Sequence, residues 1–465
     1  MNSRKIHTGR RRGAAFLMSM IVLVTLSVWA IAICSISGLN VQLAENQRKA
    51  DSARACAESG VEIIRFWLNR FSVSGTTDPG IVFAELASSL SGDLADNGIS
   101  NIVPAYDGPG SPITIPSVTL NSAKGQSFSA EITPFDSNTF QADITGRYGS
   151  VTKTISVKYN FGVRTDTVFD YGVATKGPLH LSGNIELEGI NVSVESDVFI
   201  ESQTENEALS IIGNSQIAGD VKITNPDAYV TLQGGQAAIG GETGDAALEH
   251  VSLGHTPPEF PAPNPDYFEQ YVVNTVDSST DTTTDATFEN IRIAAGTNPI
   301  FTGNVTLNGI VFVETPNIVT FAGGTTITGV IVGNGDLNDN SGTSQINFLG
   351  TVDSCSVSEL PLDETQFDGI RSETGTFLMA PGFHLSFGGN FSTLSGAIAG
   401  NGIEFFGNAG GIINGTVINY SDETMNLSGN SDLYFNRSGA TQVPAGFVQD
   451  IVLHYDPESY SEIVL

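Results

Sequence analysis

A short leader carrying Arg4, Lys5, Arg10, Arg11 and Arg12 runs directly into an unbroken apolar stretch from Ala14 to Gly38, and no other feature constrains the chain so tightly. The stretch exceeds the ~20 residues that span a bilayer as one helix. Arg10, Arg11 and Arg12 orient that helix with its N-terminus in the cytoplasm, which places everything downstream outside it. A cleaved secretory signal has a shorter apolar core of ~7–15 residues ending in a small-x-small site, and here no Ala-x-Ala follows. Cys34 follows Ile33, where a lipidated cysteine needs a small residue before it. The expectation is a single-pass protein of a bacterial inner membrane, in contact with lipid.

Fifty Asp and Glu stand against 20 Lys and Arg, so nucleic acid, which needs basic patches, is excluded as a partner. Cys34, Cys56 and Cys355 have neither disulfide nor metal-ligand spacing. Apolar residues at Leu39, Leu43, Ala50, Ala53, Ala57, Val61, Ile64, Leu68 and Phe71 recur mostly every three or four positions. They predict an amphipathic continuation of the helix over 39–71, packed on a small α+β head over 72–164. Within that head the period changes to two: Phe128, Ala130, Ile132; Phe140, Ala142, Ile144; Ile155, Val157, Tyr159. This predicts an antiparallel three-stranded meander.

From about residue 165 the composition shifts to Gly, Asn, Ser, Thr, Ile and Val, and a repeat emerges. Gly183-Asn184-Ile185-Glu186-Leu187 is echoed by Gly303-Asn304-Val305-Thr306-Leu307, and a unit of apolar-x-Gly-x-apolar centres on Gly219, Gly329, Gly396 and Gly415. Spacing near 20 residues in β-branched sequence predicts a parallel, right-handed β-helix with Gly and Asn at its corners. An irregular β-sandwich is the alternative. The coils divide into blocks at 165–253 and 287–440, with a Pro-rich, then acidic Ser/Thr excursion at 254–286 and a cap or tail at 441–465. The fold class is therefore mainly β behind a long N-terminal α-helix.

Arg11-Arg12-Gly13-Ala14-Ala15-Phe16, the apolar run, Gln47-Arg48-Lys49-Ala50 and Ala53-x-x-x-Ala57-Glu58-x-Gly60-Val61-Glu62 together resemble type IV pilin-like and PilX-type pilus-assembly proteins. The resemblance implies cleavage by a leader peptidase between Gly13 and Ala14, and other pilin-like subunits as partners through the helix. It also implies a pilus or pseudopilus setting, as a minor pilin or pseudopilin. Met18 stands where most major pilins carry Glu, a departure that bears on processing. The Gly-rich array resembles β-helical C-terminal domains attached to some PilX-type proteins.

Candidates for chemistry are few. Asp336, Asn338 and Asn340 alternate as oxygen ligands of a calcium loop do, but the glycine and closing Glu of such a loop are missing. Asp277, Asp281 and Asp285 fall in a loop, and the histidines are scattered. After residue 164 the only cations are Lys176, Lys222, Arg292, Arg371 and Arg437, none in an Asp cluster. Acid/base cleavage of an acidic polysaccharide would need both. No catalytic residue, cofactor or resident metal is expected. The leading expectation is a structural protein displaying a β-helix for assembly or adhesion, with a surface glycan as candidate ligand. A membrane-anchored glycan-binding or glycan-degrading column and an end-to-end polymerising scaffold are the alternatives.

Overall fold

The computed structural model describes residues 12–74, 79–96, 99, 101–163, 167–203, 206–438, 443–448 and 450–463. They form two compact units: the N-terminal region to Arg164 together with the C-terminal strand, and the intervening Thr165–Gln449.

The first unit begins with a continuous helix, α1 (Arg12–Leu68). From Ala53 onward it buries Ala53, Ala57, Val61, Ile64 and Leu68. Leu39 and Leu43, expected on the same stripe, are exposed. The packed part is rich in small residues because helix and sheet approach closely. A Cβ on Gly146 would lie 2.2 Å from both the Ala53 carbonyl oxygen and the Ala57 nitrogen, and one on Gly60 would lie 2.6 Å from Ile144. A second helix, α2 (Pro79–Asp96), which sequence periodicity had not singled out, buries Val82, Phe83, Leu86 and Leu90. Phe83 meets Phe140 edge-on at 4.9 Å.

The sheet beneath has six antiparallel strands in the order 72–74, 450–463, 151–163, 139–148, 126–136, 113–121. The expected meander is its centre, with Gly149 supplying the left-handed turn (φ 60°) between two of its strands. The C-terminal strand Asp450–Ile463 corrects the reading of 441–465 as a cap or tail of the column. Its Ile451 and Leu453 are buried in the head core, and Arg54 of α1 holds its Glu462 at 2.9 Å. In chain order, the whole second unit thus falls between two strands that pair with each other in the head sheet.

That second unit is a column of three sheets with nine, seven and twelve strands, parallel apart from one short hairpin. Its interior is lined by Leu, Ile, Val and Phe. The corners use the expected residues. Gly407, Gly429, Gly183, Gly213 and Gly234 all have left-handed φ values, and a Cβ on Gly183 would lie 2.3 Å from the Gly429 carbonyl oxygen. Beside them, Asn214 donates to Asn184, Asn184 to Asn430 and Asn430 to Asn408, at 2.8, 2.8 and 3.3 Å.

The order of coils along the column differs from their order in sequence. The chain joins the column at its middle, winds from Val173 to one end at Leu253, and resumes at the opposite end with Asn274–Val276. It then returns to the middle, where Val417, Leu427 and Leu433 pair with Val173, Leu181 and Leu187. Both blocks advance in one axial direction and form one continuous stack. The excursion ends near residue 273, earlier than expected. It has to travel the length of the third sheet, ~50 Å at ~4.8 Å per strand. An extended 254–264 followed by the 3₁₀ turn Pro265–Tyr271 reaches about that far. Prolines enforce the extension, since each restricts its own φ and its predecessor's conformation.

This strap, the insert around Val357–Ser372 and residues 443–448 cover the outer face of the third sheet, forming a second core with Phe199, Ile310, Phe312, Val330 and Met379. Burial on both faces explains why strands such as Val305–Val313 and Thr376–Ala380 end in continuous apolar runs instead of alternating.

Candidate assembly site

The exposed half of α1 is built from residues that have no use for water. From Ala15 to Ala44 every residue is exposed and none is charged; Trp29 is 71% and Val41 69% exposed. This is the one helix among the described residues long and apolar enough to cross a membrane. Three of its five hydroxyls are satisfied within the helix. Ser19 donates to the Phe16 carbonyl at 2.8 Å, Thr25 to Ile21 at 3.0 Å and Ser27 to Leu23 at 2.7 Å. Polar side chains facing lipid require such internal partners.

Charge appears abruptly at Glu45. Arg48 bonds Glu45 at 2.8 Å and its guanidinium lies 5.9 Å from the Tyr148 ring. The Arg48 hydrogen bond holds the exposed Glu45 carboxyl below its ordinary range. Arg54 joins Glu58 and Glu462, and Arg65 lies over Tyr455 at 5.2 Å. These cations clip the helix to its own sheet on the side away from the apolar half.

Of the cleavage residues, Gly13 and Ala14 lie in the first turn of α1 with Arg12, while Arg10 and Arg11 fall outside the described residues. Met18 is exposed on the apolar half.

The calcium candidates do not converge on an open site. Asn338 donates to Asp336 at 2.9 Å through both its backbone and its side chain, and Asn340 Oδ1 accepts from Asn401 at 2.9 Å. Among the described residues no group of three or more His, Cys, Asp or Glu is placed to hold a metal. Asp277 and Asp281 accept from Ser279 and Thr283 in local turns, and these hydrogen bonds hold both carboxyls below their ordinary range. Asp285 instead accepts from the Asn304 N–H at 2.8 Å.

The five cations of the column all serve its architecture. Arg292 pairs with Glu269 of the strap at 2.7 Å and with Glu314 at 2.6 Å. Lys176 lies 5.3 Å from the Phe260 ring of the strap, and Lys222 lies 5.1 Å from Tyr171. Arg371 bonds Asp368 and the Pro361 carbonyl. Arg437 donates to the carbonyls of Glu195, Phe169 and Val194. Sequence reading could find these residues but not their partners, which are mostly distant along the chain. His250 meets Asp220 at 2.7 Å and His384 lies 3.8 Å from Glu404, each a separate pair.

No family model and no curated protein matches the chain. Among solved structures it is similar to the competence-associated pilin ComZ from Thermus thermophilus, at 10% identity and a TM-score of 0.21 over 89% of this chain and 97% of that one. At that score the likeness carries no weight for fold or function.

Proposed function

We propose that this chain is a membrane-anchored, pilin-like structural subunit that presents a β-helical column outside the cytoplasm and works by interaction, not catalysis. The observation that carries the reading is α1 itself, one unbroken helix whose first half is exposed and apolar and whose second half is docked on an antiparallel sheet. Such a helix serves two purposes. It anchors the subunit in lipid before assembly, and it offers a surface for lateral packing with helices of the same kind. The column then supplies adhesion or assembly contacts in a pilus or pseudopilus.

The test is N-terminal sequencing and intact mass of the protein isolated from native membranes. A chain beginning at Ala14 supports leader removal and assembly. A chain that retains Met1 makes the helix a permanent anchor and overturns the subunit reading.

End-to-end polymerisation is the weaker alternative on physical grounds. One end of the column is folded over by the hairpin of Ala238–Ile239 with Glu242–Thr243 and by the turn Gly244–His250. The other is crossed by the segment whose Thr282 bonds to Ile300. Both ends are acidic, with Glu242, Asp245 and Glu249 at one and Asp277 and Asp281 at the other. Closed edges and like charges are how proteins avoid stacking.

A further inference from the structure

We propose that the column binds a neutral polysaccharide chain in a cleft running along its axis, at the corner between its second and third sheets. This deepens the adhesion reading and rests on it only for where the ligand is met. Two depressions of about 540 Å³ each share Asp353 and adjoin at Ser392 and Thr393. They cross the stacked strands that begin at Val305, Thr325, Val352, Thr393, Gly411 and Leu433. Six strands at ~4.8 Å spacing give a length of ~25 Å. A cleft of that shape fits an elongated polymer better than a compact metabolite.

Its chemistry is that of hydrogen bonding without positive charge. Thr326, Ser392, Ser395, Asn414 and Thr416 offer hydroxyls and an amide, Asp353 and Glu359 offer acceptors, and no Lys or Arg lines either depression. All five column cations are engaged in the contacts described above. An anionic chain would meet two carboxylates and no counter-charge, whereas sugar hydroxyls would find acceptors and donors.

Several of these groups are already fixed. Ser395 and Ser354 hydroxyls are 2.7 Å apart, Ser395 also reaches the Cys355 carbonyl at 2.9 Å, and Ser392 bonds Asp353. Prior fixing lowers the entropy lost on binding. Thr325, only 3% exposed, also lines the cleft, and its hydroxyl has no hydrogen-bond partner. Phe169 and Pro444 form an apolar wall at one end, suited to the C–H face of a sugar ring.

An extended peptide fits less well. Strand addition needs a free sheet edge, and Thr325–Thr328 here is already paired on both sides, by Val305–Asn308 and Val352–Cys355.

The experiment uses the full chain in detergent micelles, titrated with glucan, mannan and galactan oligosaccharides of increasing length and with polygalacturonate and alginate. At least one neutral series is expected to bind, more tightly as length grows until the cleft is spanned, with the acidic polymers not retained. Thr326→Trp, at an exposed position, should weaken binding more than tenfold without moving the thermal unfolding midpoint, and Asp353→Asn should weaken it severalfold. Leu362→Trp, an exposed position outside the cleft, should leave it unchanged. Failure of every neutral polymer to bind, or binding undiminished in Thr326→Trp, overturns the proposal. A protein that binds glycan yet retains Met1 separates this inference from the subunit reading, which alone would fall.

Discussion

In the head, antiparallel strands of up to 14 residues are each used once, and two helices complete a single core. In the column, parallel strands of two to nine residues recur coil after coil, and each contacts only its neighbours. The head therefore concentrates its stability in a few contacts between segments far apart in sequence, while the column spreads it over a repeated one. A single substitution should be global in the first and local in the second.

The largest effect that tests this contrast lies at Gly146. A side chain there would drive into the backbone of α1 at Ala53 and Ala57, with Cβ only 2.2 Å from two backbone atoms. Neither element has a flexible side chain that can yield. Gly146→Val is expected to cost the head about 3 kcal/mol or more and to release α1 and the C-terminal strand together, read as rapid proteolysis within both. Gly235 of the column has nothing within 4 Å of its virtual Cβ, and Gly235→Val should stay within about 0.5 kcal/mol. Comparable costs at the two glycines would break the contrast.

Within the column, Phe301, Phe321, Phe348, Phe387 and Phe405 stack at 4.8–5.1 Å with nearly parallel rings. The same row continues as Leu427, Leu181, Ile211 and Leu232 across the seam where the second block of coils pairs with the first. Phe348→Ala removes a ring that touches neighbours on both sides and should cost about 3–5 kcal/mol. Hydrogen exchange should quicken in Ile318–Phe321 and His384–Phe387 but not in Leu179–Gly183. Exchange that rises uniformly along the column would show that its coils do not behave as a chain of nearest neighbours.

Much of this was readable from residues that act locally. The apolar run predicted the exposed half of α1, the alternation around Phe128 to Tyr159 predicted the central strands, and Gly and Asn predicted the corners. What escaped the sequence was connectivity. Parallel pairing between coils has the same form whichever coil lies next, so Gly183-Asn184 and Gly429-Asn430 announce two corners without saying that one sits on the other. The partner of Asp450–Ile463 is Val151–Val163, with the whole column between them along the chain, and no local pattern in Ile451-Val452-Leu453 names it. One further signal of the architecture lies in the sequence. Runs such as Gly309-Ile310-Val311-Phe312-Val313 fail to alternate, which means that their outer face is covered.

The seam itself carries a smaller predicted effect than Gly146 or Phe348, and the one most specific in sign. Glu195, 5% exposed, accepts hydrogen bonds from the Asn191 backbone and side chain and from the Arg437 N–H on the other side of the seam. Burial alone would raise its pKa, but these bonds, those from Asn191 foremost, outweigh it and hold the carboxyl below its usual range. Two residues on, Asp197 is pushed the other way by burial, although the Asp220 N–H donates to it at 2.9 Å and Lys222 and Arg437 lie near. A depressed folded-state pKa gives stability that is present above the unfolded value of ~4.3 and lost as pH falls through the folded value; a raised one gives stability present below ~3.9 and lost as pH rises through the folded value. Glu195→Gln should therefore cost about 1–2 kcal/mol at pH 7, a loss that shrinks at acid pH. Asp197→Asn retains the acceptor oxygen, removes the buried charge, and should stabilise the column modestly at pH 7 with no gain at pH 3. Urea midpoints of the two variants across pH 3–7 should converge on the parent protein from opposite sides. If both variants lose stability equally at every pH, packing at the seam outweighs its charges, and the joint is held as the rest of the column is.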